Sequence, residues 1–250
     1  MAADAPLIVI PARMASARLP GKPLADIAGR PMIAWMVEIA RAARLGPVLV
    51  AAAEPEIAAA AEAAGAHAVL TDPALPSGTD RVHAAAAAFD PAGAHAIVVN
   101  LQGDMPTFAP ADLARGVAAL TPAGDIATLA ARSDDDADRA NPNVVKAVIA
   151  FAPGAQTGRA LYFTRAPAPA GPGPVWRHVG LYVYRRAALA RFVAAPPSAL
   201  ERRESLEQLR ALEMGMRIDV GLVEAFPKGV DSPEDLAAAR RLLASRGPEP

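Results

Sequence analysis

Short apolar runs separated by Ala-rich stretches constrain this chain more than any other feature. Leu7-Ile8-Val9-Ile10, Val48-Leu49-Val50, His67-Ala68-Val69-Leu70 and Ile97-Val98-Val99 each read as a brief buried strand. Between them lie segments with helical periodicity. Met32 to Arg44 follows Pro31, a residue suited to a first helical position, and carries Ile33, Val37 and Ala40 on one face. Glu56 to Ala64 is closed by Gly65, and an Ala-rich helix with Thr79 as its candidate cap runs to Phe89. Strand and helix in alternation predict an α/β fold with a parallel sheet. Hydrophobic residues are 53% of the chain and Ala dominates them, whereas aromatics are only 4%, so the helices are expected to pack closely on the sheet. At 250 residues the chain fits one large domain whose core needs no covalent staples.

The first strand runs into a loop that cannot be helical. Pro11, Pro20, Gly21 and Pro23 interrupt every turn, yet Arg13, Arg18 and Lys22 recur in it at spacings of five and four. A cationic loop after a first strand stands at the carboxyl edge of the sheet, where such folds bind ligands, and it reads as a phosphate grip. Charge pattern alone leaves a solvated basic loop open. Gly21-Lys22 has no glycine five residues earlier and is followed by Pro23, so it is not a P-loop, and the chain has no Gly-x-Gly-x-x-Gly. A triphosphate here would be gripped chiefly by Arg and Lys side chains.

The strand at Ile97 ends in Asn100-Leu101-Gln102-Gly103-Asp104-Met105-Pro106. Asp104, just beyond a buried strand, is a candidate metal ligand, with a plain tight turn as the other reading. Gln102 both donates and accepts, which suits a base edge or a sugar hydroxyl. Further on, Asp125 to Ala131, Val144 to Phe151, Leu161 to Phe163 and His178 to Tyr184 read as strands, and Ser133 to Asp138 as an acidic surface run. Residues 166–175 hold four Pro and two Gly and read as a loop, either lid or linker. Glu201 to Met214 reads as one helix, a salt-bridged surface element or a substrate-contacting one. Ser232, Pro233 and Asp235 form a box-like cap on the last helix, with Asp231 just before it as a structural neighbour.

The formal net charge of -1 argues against nucleic acid or an anionic membrane as the main partner and favours small ligands. With no Cys, any metal must be held by carboxylates, His or the substrate, and Mg²⁺ suits that inventory. Neither a signal-peptide pattern nor a long charge-free apolar run is seen, so a cytoplasmic protein is expected.

Taken together, these segments resemble the 3-deoxy-manno-octulosonate (Kdo) cytidylyltransferases. The resemblance rests on Ile10 to Arg13 with Ser16, Arg18 to Leu24, Ser77 to Arg81, Asn100 to Pro106, Asn141 to Lys146, Leu161 to Ala166, His178 to Arg185, Leu206 to Arg210 and Gly229 to Leu236, in family order over nearly the whole chain. It implies the nucleotide-diphospho-sugar transferase fold, a Rossmann-like three-layer α/β arrangement on a mixed, mostly parallel sheet. It also implies one domain over residues 1–250, with sugar-binding and dimerisation strands inserted at about 125–185. The implied reaction joins CTP and Kdo into CMP-Kdo and pyrophosphate for lipopolysaccharide synthesis, in a homodimer.

Asp104 and Asp231 match the family's Mg²⁺ ligands. Arg13, Arg18 and Lys22 match its triphosphate loop, and Lys22 and Arg13 would neutralise charge in the reaction. Ser77 and Gln102 match positions near cytidine and sugar; Arg165, His178, Tyr182, Glu207 and Gln208 match the face that holds Kdo. His67, His83 and His95 match nothing. The chain has Met105 where Gly-Asp-Glu-Pro is usual, and Ala51-Ala52-Ala53 where Ala-Thr-Asp is usual. The alternatives are another acidic sugar, such as 8-amino-Kdo or a sialic acid, or a weakly active nucleotide-binding paralogue.

Overall fold

The computed structural model describes residues 5–16 and 18–244; Ala17 of the cationic loop and residues 1–4 of the N-terminal tract lie outside the described residues. The chain divides into two compact units, residues 1–111 with 227–250 and residues 112–226, where the sequence leads one to expect a single domain.

The first unit holds β1 (Leu7–Ala12), the two-residue strands β2 (Asp26–Ile27) and β3 (Arg30–Pro31), α1 (Met32–Ala42), β4 (Val48–Ala52), α2 (Pro55–Ala63), β5 (His67–Leu70), α3 (Gly78–Phe89) and β6 (Ile97–Leu101). Its main sheet runs β5-β4-β1-β6, and each pair is parallel. β1 and β4 are buried almost throughout, as continuous apolar strands between helices must be. Pro31 proves to be the N-cap of α1, in extended backbone, and not its first helical residue. Ser77, not Thr79, caps α3: its hydroxyl accepts from the Thr79 and Asp80 N–H groups. The expected capping box at Ser232 and Asp235 is present on the closing helix, Pro233–Leu243. That helix packs Leu236, Ala239 and Leu243 against Ile27, Met32 and Trp35.

The second unit begins with most of α4 (Pro110–Ala119) and continues through β7 (Ile126–Ser133), α5 (Asp136–Ala140), β8 (Lys146–Ala150), β9 (Thr157–Thr164), β10 (Val175–Arg185), α6 (Arg186–Ala194), α7 (Ala199–Glu204), α8 (Gln208–Glu213) and β11 (Ile218–Val223); the closing helix of the first unit is α9. Its strands run β10-β7-β11-β9-β8, and β8 pairs back to β10 through Lys146 and Arg177, so the sheet closes on itself like a small barrel. Of its pairs only β11 with β7 is parallel. The mostly parallel sheet expected from the sequence therefore holds in the first unit alone. Between β8 and β9 the chain has only a short loop, with no crossover helix, and a connection of that kind joins antiparallel neighbours. Gly116 lets α4 close on β10, since a Cβ there would lie 2.6 Å from Leu181 Cδ2.

The single helix expected over Glu201 to Met214 is two. Ser205 takes a left-handed conformation at φ 53 and ends α7, and α8 restarts at Gln208. Arg210 secures the break by a two-point ion pair with Glu201 at 2.6 and 2.8 Å. Among the described residues no helix is long and apolar enough to cross a membrane.

Candidate active site

In the first unit the carboxyl edge of the parallel sheet opens into a cavity of about 400 Å³, lined among others by Arg13, Arg18, Lys22, Ser77, Gln102 and Asp104. Its geometry is set by the breaks in the chain. Gly21 takes a left-handed φ of 73, which starts a single 3-10 turn over Lys22–Leu24 and aims Lys22 across the strand ends. Met14 is fixed by its N–H, which donates to the Glu54 carboxylate at 3.0 Å. Gly103 passes close over β1, where a Cβ would lie 3.0 Å from the Pro11 carbonyl oxygen.

Lys22 Nζ donates to Asp104 Oδ2 at 2.8 Å and to Asp231 Oδ1 at 3.1 Å, and Arg18 Nη2 lies 3.3 Å from the other Asp231 oxygen. Burial works against the Lys22 charge, but Asp104 and then Asp231 outweigh it and hold the ammonium above its ordinary pKa. Asp231 reaches this point because the Asp104 carbonyl accepts the Val230 N–H at 2.8 Å and the Ser232 capping box fixes the turn into α9. The two carboxylates thus gather around one cation. Among the described residues no cluster of three or more His, Asp or Glu forms a closed metal cage. Two carboxylates beside a phosphate-sized cavity suit Mg²⁺, which takes one or two protein carboxylates and completes its shell with phosphate oxygens and water.

Gln102 is oriented by donating to Asn100 Oδ1 at 3.0 Å. Ser77 donates to Asp80 at 2.6 Å while accepting at the head of α3, so its hydroxyl is already engaged and what it offers a ligand is the positive end of that helix. Arg13 is exposed at the cavity rim. Arg81, which no sequence pattern singles out, also lines the cavity; it is only 2% exposed and donates to Thr71 Oγ1 at 2.5 Å and to the Asp72 carbonyl. Burial, then the neighbouring Arg13 charge, lowers its pKa. A buried arginine held by a hydroxyl and carbonyls carries positive potential toward an anion, and its only sequence signal is its place in Ser77 to Arg81. The two departures from the family pattern are both core positions: Met105 and Ala51 to Ala53 are buried.

The five remaining residues, Arg165, His178, Tyr182, Glu207 and Gln208, lie in the second unit. Arg165 donates through Nε to the Glu204 carbonyl at 3.0 Å and through Nη1 to the Pro142 carbonyl at 3.2 Å. Its own carbonyl is one of three held by the buried Lys146 ammonium, at 2.7 Å. Burial, then the Arg165 charge, lowers the Lys146 pKa. His178 lies between Phe163, which it meets edge-on, and Tyr182, to which it is tilted, with ring centroids 5.0 and 5.5 Å away. Desolvation pushes its pKa down to about 4, and the Tyr182 phenol is raised by burial, then by Tyr184 and Glu207. Among the described residues the Gln208 amide nitrogen is buried without a hydrogen-bond partner, which in a native fold calls for a water or a ligand.

A family model described as cytidylyltransferase matches residues 7–218. A 3-deoxy-manno-octulosonate cytidylyltransferase of Rhodospirillum rubrum is 60% identical over 245 residues, covering 97% of each chain. The chain belongs to the 3-deoxy-manno-octulosonate cytidylyltransferase family. The enzyme of the same name from Rhodospirillum centenum is 61% identical over 242 residues, 96% of this chain and 94% of that one. A solved structure described as CMP:2-keto-3-deoxy-manno-octonic acid synthetase complexed with CTP superposes with a TM-score of 0.88 at 38% identity, covering 98% of this chain and all of that one. A Leptospira borgpetersenii cytidylyltransferase structure, at 15% identity and a TM-score of 0.62, shares the fold.

Proposed function

We propose that this family member transfers CMP from CTP to the anomeric hydroxyl of Kdo, releasing pyrophosphate, in the supply of CMP-Kdo for lipopolysaccharide synthesis. The observation that carries the reading is the Lys22 ammonium between Asp104 and Asp231 in a cavity rimmed by Arg13 and Arg18. The sugar oxygen bonds to the α-phosphorus as the bond to the bridging oxygen breaks, the hydroxyl proton passing to solvent. Asp104 and Asp231 would hold Mg²⁺, which when bound would supply neutralising charge and acidify the attacking hydroxyl. Arg13 and Arg18 grip the triphosphate, Lys22 neutralises charge as pyrophosphate departs, and the positive end of α3 at Ser77 faces the anion. Gln102 reads the cytidine or a sugar hydroxyl.

Recognition of the sugar falls, in this reading, to Arg165, His178, Tyr182, Glu207 and Gln208. The unpaired Gln208 amide supports it, because a polyhydroxylated acid offers the acceptors that the amide lacks. The same reading has the enzyme working in the cytoplasm, the compartment that supplies CTP, as a homodimer through strands of the 125–185 region. We infer the nucleotide-diphospho-sugar transferase arrangement from the family resemblance.

The test is pyrophosphate release from CTP and Mg²⁺, with Kdo, 8-amino-Kdo and N-acetylneuraminate in parallel. Rapid release with Kdo alone is expected. Release with another acid moves the substrate, and no release from a protein that still binds CTP leaves a nucleotide-binding paralogue.

A further inference from the structure

β10 carries a bulge. Its register with β7 runs evenly to Val179 opposite Leu129, then resumes with Tyr182 opposite Thr128, so two residues of β10 are left without partners. Thr128, fully buried, fills that gap. Its hydroxyl oxygen lies 2.7 Å from the Leu181 carbonyl oxygen, 3.1 Å from that of Val179 and 3.0 Å from His178 Nε2.

Those three distances fix where the protons are. A hydroxyl has one proton and a carbonyl oxygen only accepts. If Thr128 donated to the imidazole, its lone pairs would face two carbonyl oxygens at contact distance, and that repulsion would go unrelieved in a buried site. The proton therefore goes to Leu181, and Oγ1 accepts from the ring. Nε2 must then carry a hydrogen. The low pKa of His178 keeps the ring neutral, so Nδ1 carries none. Among the described residues no protein group is hydrogen-bonded to Nδ1.

We propose that Thr128 is a positioning residue that locks His178 as the Nε2–H tautomer, so that Nδ1 is presented as an acceptor for a hydroxyl of the substrate. The bulge is the device that makes this possible, because it brings the two carbonyls to one hydroxyl. A sugar hydroxyl donating to Nδ1 is read by its direction, and a group in the same place that cannot donate is rejected. This last step rests on the sugar reading above; the tautomer does not.

Nitrogen NMR of ¹⁵N-histidine-labelled protein tests the lock directly, with His178→Phe assigning its signals among the four histidines. The wild type is expected to show protonated Nε2 and unprotonated Nδ1, unchanged from pH 5 to 8. Thr128→Val keeps the shape without the hydroxyl; it should lose the single tautomer and raise the KM for Kdo about tenfold, with the KM for CTP unchanged and kcat little altered. Thr128→Ser restores the hydroxyl and should restore both readouts, which separates the lock from any loss of stability in the valine variant. A protonated Nδ1 in the wild type, or an unchanged tautomer in Thr128→Val, overturns the proposal. If His178→Phe leaves the KM for Kdo unchanged, the sugar reading falls while the tautomer result stands by itself.

Discussion

The carboxylate–cation cluster of the first unit and the Thr128 and Lys146 sites of the second hold their polar groups in opposite ways. In the first, charges sit on loops at the sheet edge and remain wet: the Arg18 side chain is 71% exposed and that of Asp231 48%. They are matched by one another. In the second, Thr128 and Lys146 are wholly buried, and both are fixed by backbone carbonyls and not by opposite charges. A solvated ion pair contributes about 1 kcal/mol or less and rearranges easily, so it suits groups that must open to a highly charged, hydrated ligand. A buried donor in a low dielectric is held far more firmly, which suits the reading of hydroxyl directions on a neutral ring.

Removing charge from the first unit should therefore silence the reaction without unfolding the protein. Asp104→Ala and Asp231→Ala are each expected to reduce Mg²⁺-dependent pyrophosphate release by about a thousandfold or more. Far-UV circular dichroism and melting should stay close to wild type, since the backbone bond from Val230 to Asp104 survives both changes. Normal turnover in either variant removes that residue from the mechanism.

The second unit should answer to acid instead. His178 has a folded pKa of about 4 against 6.5 in the unfolded chain, so the unfolded state binds the extra proton between those values. Stability contributed by the neutral ring is fully present above pH 6.5 and is lost as pH falls toward 4, by about 3 kcal/mol in all. Denaturant titrations at pH 7 and pH 4, compared between wild type and His178→Phe, measure this part. Equal pH dependence in both would break the contrast. The smallest effect returns to the first unit: Ser77→Ala should cost about 1 kcal/mol of stability through the lost α3 cap, and the KM for CTP should rise because the head of the helix frays.

How much of this could be read from the sequence splits along the same divide. β1, the cationic loop, Asp104 after β6 and the Ser232 capping box are local features, and local spacing reveals them. The second unit is closed by long-range pairing that leaves no local trace: β8 returns to β10 through Lys146 opposite Arg177, and the bulge opposite Thr128 exists only once two distant strands align. Ser205 looks like ordinary helix until its left-handed backbone is seen. Thr79 is not the cap because Ser77, two residues earlier, can accept from two N–H groups at once. Arg81 escapes a reading of the sequence because its partners are a hydroxyl and carbonyls, which no charge pattern reveals.

Lys22 meets Asp104 across 82 residues of chain and Asp231 across 209. A nascent chain leaving the ribosome thus carries the ammonium from the outset, gains one carboxylate near the middle of synthesis, and receives the other only when the segment after Pro227 has been made. The first unit cannot complete its core before then either, since α9 supplies Leu236, Ala239 and Leu243. The second unit, by contrast, is a single contiguous stretch of chain. A chain that ends before Pro227 therefore has the cations of the cluster and only one of its two carboxylates.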